Sequence, residues 1–408
     1  MTPASPSDVA ERFGTPAFVY DLDAIERAHA DLVAALPRPS TVYYSVKANP
    51  HPRVIGLLHG LGCRAEVSST GEIDAALGAG VAPEAVLLTG PAKTEGTVDH
   101  ALRNGVRRFS VDSPEDLARV DRLAAARGVH TECALRVNAD LAVPGAGLSM
   151  TGTSSQFGAD LSWVLAETPR FGGRPHAAVS GLHLYMGTNL TEEKDLLAQF
   201  EVGIGIAAKL ATVFPDLTEV DLGGGFGLPF ARAGARPVFD GLAAGLEAML
   251  DDQLPGWRAG RPSISFESGR YLVGDCGVLV SRVVDVKSSK GTRYAMLDTG
   301  VHHLGGMSGL RRIPAISASV VGVGGETEPD GEPTTVAGPL CTPLDVLARG
   351  AQLPPLAIGD LVTIPNTGAY GPTASLLAFL GHAAPAEVVV AGDRFESASR
   401  LTITRDSL

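Results

Sequence analysis

Between residues 41 and 269 the chain alternates eight short strand-like runs with stretches of helical pattern. The runs are TVYYSVKAN, CRAEVSS, AVLLTG, RRFSVD, ECALRVN, AVSGLHLYMG, EVDLGGG and SISFESG. The first opens on Thr, Val, Tyr and Tyr, all β-branched or aromatic, as strands do. Of the intervening stretches, SPEDLARVDRLAAARG (residues 113–128) opens with Ser113 as N-cap and Pro114 in the first helical position. TEEKDLLAQFEVGIGIAAKLATVF (residues 191–214) reads as a longer helix capped by Thr191. Strands that alternate with helices run parallel and are joined by crossovers. Eight such units in about 230 residues suit a (β/α)8 barrel of the TIM type, for which about 250 residues are usual. An open doubly wound sheet is the rival, but no dinucleotide fingerprint follows the first strand.

After about residue 275 the texture changes. GVLVSRVVDVKSS, RYAMLDTG, AISASVVGV, PTTVAG, LVTIPNTG and AEVVVAG are strand-like with little helix between them. This predicts a barrel over residues 33–275 and a C-terminal β-sandwich or β-barrel domain over 276–408, an α/β plus β chain. A length of 408 residues agrees with more than one domain.

Composition narrows the partners. The formal charge of −12 argues against nucleic acid and against anionic membrane surfaces. No run of about 18 apolar residues suggests a membrane span, and the opening MTPASPSDVAERFG has no apolar run for a signal peptide. Cys63, Cys133, Cys276 and Cys341 are scattered without C-x-x-C or zinc spacing. Reduced thiols, a cytoplasmic setting and no bound metal are therefore expected.

Catalytic groups of a barrel gather at the C-terminal ends of its strands. Lys47 ends the first run, Glu66 lies in the second, His183 in the sixth, GGGFG (residues 223–227) follows the seventh, and Glu267 and Arg270 end the eighth. Each has an ordinary alternative: a solvated rim lysine, a core histidine, a flexible turn, a local Glu–Arg pair. Together they supply an amine able to form a Schiff base with a carbonyl, a backbone cradle for phosphate, a flat ring that can stack, and a carboxylate. Pyridoxal 5'-phosphate requires those functions.

In these motifs the chain resembles the fold-type III pyridoxal-phosphate decarboxylases, the diaminopimelate, ornithine and arginine decarboxylase group. The resemblance runs from FGTPAFVYDLDAI (residues 13–25) to NTGAYG (residues 366–371). It implies an alanine-racemase-like barrel, and that residues 1–32 join the β domain. It implies that Lys47, in YYSVKAN, binds the cofactor aldehyde, that Glu66, in EVSSTGEI, lies near the cofactor, and that His183, in GLHLYMGTN, stacks on the pyridine face. DLGGGFG would hold the phosphate through Gly223, Gly224, Gly225 and Gly227. FESGR resembles EPGR, with Glu267 paired to the pyridine nitrogen and Arg270 near the phosphate. GPLCTPLD (residues 338–345) resembles the catalytic cysteine block, which makes Cys341 the proton donor to Cα, and GAY makes Tyr370 a phosphate or ring contact. The family also implies a head-to-tail homodimer in which the cysteine block reaches the partner's cofactor.

Two enzymatic and one non-enzymatic reading compete. A racemase of the same barrel pairs an arginine with the pyridine nitrogen, whereas Glu267 at the matching position favours decarboxylation. A non-catalytic binding protein would lack cofactor residues, and here they are present. Within the decarboxylases, Ser268 replaces the usual proline of EPGR, and Met186 stands where many relatives have a small hydroxyl residue. Thr342 follows Cys341 where diamine-forming relatives carry an acidic residue that pairs with the substrate's distal ammonium. The segment DTGVHHLGGMSGLRR (residues 298–312) also departs from the diaminopimelate type. It resembles a biosynthetic subgroup that includes enzymes acting on aminoacyl groups held by acyl carrier proteins. The expected substrate contacts are Thr342, Asp345, His302 and Arg312. The expected substrate is an acidic aminoacyl group on an acyl carrier protein, and the alternative is a free diamino acid such as meso-diaminopimelate or ornithine.

Overall fold

The computed structural model describes residues 5–139, 148–149, 154–304, 317–323 and 332–407. The chain divides into two compact units.

One unit comprises Ala28–Gly227 and Pro237–Leu272. All eight expected strands are present in it: Thr41–Ser45, Arg64–Val67, Val86–Leu88, Arg108–Val111, Thr131–Asn138, Ala177–His183, Glu219–Asp221 and Ser263–Ser268. Each pairs in parallel with its neighbours in sequence, and the eighth pairs with the first, so the barrel closes. Closure leaves no exposed edge and buries both faces of each strand.

The helices start where local chemistry permits. Ser69, Thr94 and Ser113 each accept a hydrogen bond from a backbone N–H of the first turn that follows. Each such cap is worth about 1 kcal/mol. Thr191 does not cap its helix. That helix runs Glu193–Ala211 with Glu192 extended before it and no side-chain cap. The Glu193 carboxylate instead accepts the N–H of Gly241.

The barrel floor is polar where such barrels usually stack aliphatic layers. Arg108 bonds the Tyr43 hydroxyl at 3.3 Å and pairs with Glu219 and, at 2.9 Å, with Glu132. This network satisfies charges that would otherwise be costly inside a barrel.

The other unit comprises Met1–Arg27, Leu228–Arg236 and Val273–Leu408. Among its described residues nine strands form one hydrogen-bonded network around the long strand Gly277–Ser289. The N-terminal strand Ala17–Asp21 pairs antiparallel with Gly277–Val280 and parallel with Ala386–Val390. Two strands were missed from sequence, Val346–Gln352 and Arg394–Arg400. Arg, Gly and Gln interrupt the apolar alternation of the first, and the second is polar and largely exposed. The segment Leu228–Arg236, inside the span expected for the barrel, packs with this unit. The Asn366 amide donates to the carbonyls of Arg232 and Gly234, and Ala231 donates to the Asn366 carbonyl. No helix among the described residues is long and apolar enough to cross a membrane.

Candidate active site

The first barrel strand stops at Ser45, and Lys47 occupies the single tight turn Val46–Ala48 that follows. Val46 and Ala48 are buried while the Lys47 side chain is 43% exposed. The turn therefore carries the amine out of the core at the barrel mouth, which explains a lysine next to a buried strand. Lys47 Nζ lies 2.7 Å from Oε2 of Glu66 on the second strand. Thr89, beyond the third strand, donates to the other Glu66 oxygen. Burial of Glu66 raises its pKa, but the Lys47 charge and hydrogen bonds from Lys47, Thr89 and Ser45 outweigh that, and the carboxyl settles at about 2.

His183 ends the sixth strand with its ring almost wholly buried. Its Nδ1 is 2.7 Å from the Ser110 hydroxyl of the fourth strand, which fixes the ring plane. Its Nε2 is 3.2 Å from Oε1 of Glu267 on the eighth strand. The seventh strand brings Asp221 into register with His183. Asp221 Oδ1 accepts the N–H of Gly223 at 2.8 Å. Asp221 Oδ2, Glu267 Oε1 and His183 Nε2 are buried without a hydrogen-bond partner. One ligand atom from each residue falls within 4.8 Å of the others, a spacing that would also suit a metal ion. Burial, and then the Glu267 charge beside it, push the Asp221 carboxyl well above the usual range.

The glycine loop follows Asp221. Gly223 and Gly225 have φ of 70° and 110°, in the region that favours glycine. A Cβ on Gly225 would stand 2.9 Å from the Gly187 carbonyl and 3.0 Å from Gln199 Nε2. Gln199, buried on the helix Glu193–Ala211, donates to the Gly224 carbonyl at 2.6 Å, and the Gly223 carbonyl accepts the Glu267 N–H at 2.7 Å. The loop is thus fastened between a helix and the eighth strand, and Gly227 continues it against Leu190. Arg270 opens the short helix Arg270–Val273 just beyond. Arg136, in register with His183, is buried between the rings of Phe157 and Tyr185. Met186 is buried as well.

Lys47, Glu66, His183, the glycine loop, Glu267 and Arg270 all belong to the barrel unit. Cys341, Thr342, Asp345, His302 and Tyr370 belong to the β unit. Cys341 is exposed, whereas Cys63, Cys133 and Cys276 are buried, with the first two thiols pushed up by burial to about 12. The Thr342 hydroxyl accepts the N–H of Leu344 at 3.3 Å. Asp345 and His302, both expected to meet substrate, are buried at 2% and 0% exposure. The Asp345 carboxylate is taken by two backbone amides. Tyr370 has φ of 55°, an uncommon conformation for a non-glycine residue and one found at functional positions. Arg312 and its neighbour Arg311 lie outside the described residues. Sequence reasoning missed Asp221, Ser110, Thr89 and Gln199. Asp221 stands inside a quoted motif, and barrel register would have aligned it with His183; Thr89 and Gln199 carry no comparable signal.

A parallel barrel whose mouth gathers a strand-end lysine, a buried histidine, buried carboxylates and a fastened glycine loop defines a pyridoxal-phosphate enzyme. The family described as "Pyridoxal-dependent decarboxylase, pyridoxal binding domain" matches residues 22–274, and this chain belongs to it. The L-glutamyl-[BtrI acyl-carrier protein] decarboxylase of Niallia circulans is 31% identical over 399 residues, 95% of this chain and 91% of that protein. The diaminopimelate decarboxylase of Pseudomonas aeruginosa is 33% identical over 371 residues, 90% and 85% respectively. In fold, the Helicobacter pylori diaminopimelate decarboxylase complexed with L-lysine aligns with a TM-score of 0.81 at 24% identity, covering 96% of this chain and 95% of that one. The protein is a pyridoxal-phosphate-dependent amino-acid decarboxylase. Its residues fit that cofactor. The unpartnered atoms of Glu267 and Asp221 suit a protonated ring nitrogen, and Lys47 is the exposed amine of the barrel mouth.

Proposed function

We propose that this enzyme removes the α-carboxylate of an acidic aminoacyl group, of aspartyl or glutamyl type, held on an acyl carrier protein in a biosynthetic pathway. The observation that carries the reading is Thr342. It is neutral, and its hydroxyl is engaged by the Leu344 N–H, so it offers no charge to a distal ammonium. The similarity to a glutamyl-carrier decarboxylase over 95% of the chain supports it.

Bound pyridoxal phosphate supplies an aldehyde that condenses with amines and a conjugated ring that takes up the electron pair left when carbon dioxide departs. Lys47 would bind that aldehyde, and Glu66 holds the amine at the barrel mouth. His183, fixed by Ser110, would hold the cofactor's ring in place. Glu267 would keep the cofactor's ring nitrogen protonated, because a close carboxylate favours the charged form. The backbone of Gly223, Gly224, Gly225 and Gly227, with Arg270 and Tyr370, would hold the phosphate. Cys341 returns a proton from Sγ to Cα. The enzyme works as a head-to-tail homodimer in the cytoplasm, and each Cys341 serves the partner's site.

The second reading is a free diamino-acid decarboxylase, favoured by the 33% identity to a diaminopimelate decarboxylase. Carbon dioxide release should be measured from free meso-diaminopimelate, ornithine, lysine, aspartate and glutamate, and from carrier proteins loaded with the two acidic residues. Turnover confined to a loaded carrier is expected. Efficient turnover of free meso-diaminopimelate would overturn the proposal in favour of the second reading.

A further inference from the structure

We infer that Asp345 is a positioning residue, whose buried carboxylate fastens the Cys341 loop to the turn bearing His302 and His303. The inference rests on the reading of Cys341 as the Cα proton donor.

Residues 338–345 join the strands Pro333–Ala337 and Val346–Gln352 and have no regular structure of their own. Asp345 closes them. Its carbonyl accepts the Gly338 N–H at 3.0 Å, and its own N–H donates to the Thr342 carbonyl at 3.2 Å. Its Oδ2 accepts the N–H of Leu340, the residue before Cys341, at 2.8 Å. Its Oδ1 reaches outside the loop and accepts the Val301 N–H, also at 2.8 Å. Hydrogen bonds to an ionised acceptor are about twice as strong as neutral ones. A Cβ on Gly300 or on Gly338 would collide with the carboxylate, so glycine at both positions lets it approach. The turn it grips is itself packed: His303 Nδ1 bonds the Thr299 hydroxyl at 3.1 Å, and the His302 and His303 rings lie 3.7 Å apart.

A carboxylate that binds substrate needs a free oxygen facing the ligand. Asp345, 2% exposed, has given one oxygen to each side of the join. Cys341, four residues earlier, is exposed. The proton leaves Sγ–H, bonds to Cα, and the thiolate recovers a proton from solvent. Delivery to one face of one carbon needs the donor held in position, and a displacement of 1 Å can cost about 10²-fold in rate. In this loop the buried carboxylate does what a helix or strand would otherwise do.

Asp345→Asn keeps one acceptor oxygen and turns the other into a donor that clashes with an N–H. The test is decarboxylation in D2O by the holoenzyme, using glutamyl-loaded carrier protein and free meso-diaminopimelate as probes and following whichever is turned over. Wild type should give one stereoisomer of the product deuterated at Cα. Asp345→Asn should lower kcat about 10²-fold with KM within about threefold, and should give mixed stereochemistry with cofactor loading retained. Retained stereochemical purity in Asp345→Asn would overturn the inference. Cys341→Ala separates the two readings: if that variant stays stereospecific, the role of Cys341 fails; if it scrambles and Asp345→Asn does not, only the Asp345 role fails. Should Asp345→Asn not fold, amide hydrogen exchange on the unmodified protein decides. Leu340 and Val301 should be strongly protected, and exchange at open-loop rates would overturn the inference.

Discussion

His183 Nε2 and Glu267 Oε1 face each other at 3.2 Å in the barrel mouth, both side chains buried and neither atom hydrogen-bonded. Asp221 completes the cluster from the strand between them. A buried polar atom that makes no hydrogen bond costs roughly 1–3 kcal/mol. The two carboxylate oxygens would suit the protonated ring nitrogen of a bound cofactor. Glu267→Gln keeps the shape and removes the charge, and should lower kcat by about 10²–10³-fold, as loss of an electrostatic partner to the reacting group does. Asp221→Asn should cost less, because Asp221 already accepts the Gly223 N–H. Steady-state kinetics of both variants check the order, and equal losses would argue that Asp221 carries the ring contact.

Lys47 and Lys93 both lie in the barrel unit, but their surroundings differ. Lys93 is 1% exposed and locked between Asp112 at 3.2 Å and Asp116 at 2.8 Å. Lys47 pairs with Glu66 at 2.7 Å, and its side chain is 43% exposed. Borohydride reduction of the holoenzyme should therefore fix pyridoxal phosphate to Lys47, seen as one modified peptide by mass spectrometry. Modification at Lys93 or Lys287 would defeat the site as described.

The pair Lys47–Glu66 also predicts a pH dependence. The Glu66 carboxyl is held at about 2 against an ordinary 4.5. Its contribution to stability is therefore complete above about pH 4.5 and is lost as pH falls toward 2. Lys47→Met leaves Glu66 buried beside Thr89 without the amine. Loss of a partner from a wholly buried pair costs about 3–5 kcal/mol; because Lys47 is 43% exposed, solvent screening reduces this to about 1–2 kcal/mol. Urea unfolding of the cofactor-free proteins should show that deficit at pH 7 and a smaller one at pH 4. A deficit independent of pH would assign the effect to packing.

The barrel was legible because its signal is repeated. Eight runs with turns behind them name eight strands, and motif residues such as Lys47, His183 and Glu267 fall at one end of them. Residues that act through a neighbour were harder to read. Gln199 sits in the middle of an amphipathic helix, and only the fold shows its amide against the Gly224 carbonyl. Ser110 is an unremarked hydroxyl until the fourth and sixth strands bring it to His183. Thr191 looked like a cap because sequence records residue type and not where the helix begins. Asp345 stood in a catalytic motif, and its backbone partners were invisible without coordinates.

If Cys341 crosses to the partner subunit, two inactive variants should complement. Mixing Lys47→Ala with Cys341→Ala subunits generates heterodimers in which one site keeps both residues. Up to about one quarter of wild-type activity is expected when exchange is complete, since half the dimers are mixed and each has one intact site. A dead mixture, with exchange verified by mass, would put both residues in the same subunit's site.

The last prediction concerns substrate charge. Thr342 follows the exposed Cys341, and its hydroxyl already accepts the Leu344 N–H. A distal ammonium brought to this block finds no carboxylate: Asp345 is buried and bonded to two amides. Removing one partner from a desolvated charge pair costs roughly 3–5 kcal/mol, which is more than a hundredfold in binding. Weak or absent activity on free ornithine, lysine and meso-diaminopimelate follows. Thr342→Asp should restore part of the missing charge and raise kcat/KM for a diamino acid by about tenfold or more, through KM first, because the contact is made equally in ground and transition states. The same change should weaken turnover of a carrier-held acidic aminoacyl group, since a new carboxylate would face a neutral thioester on an acidic carrier. Steady-state kinetics on both substrate classes read the two effects together. A Thr342→Asp enzyme that gains nothing on diamino acids would show that the side chain after Cys341 does not read the distal group, and that discrimination must come from elsewhere in the site.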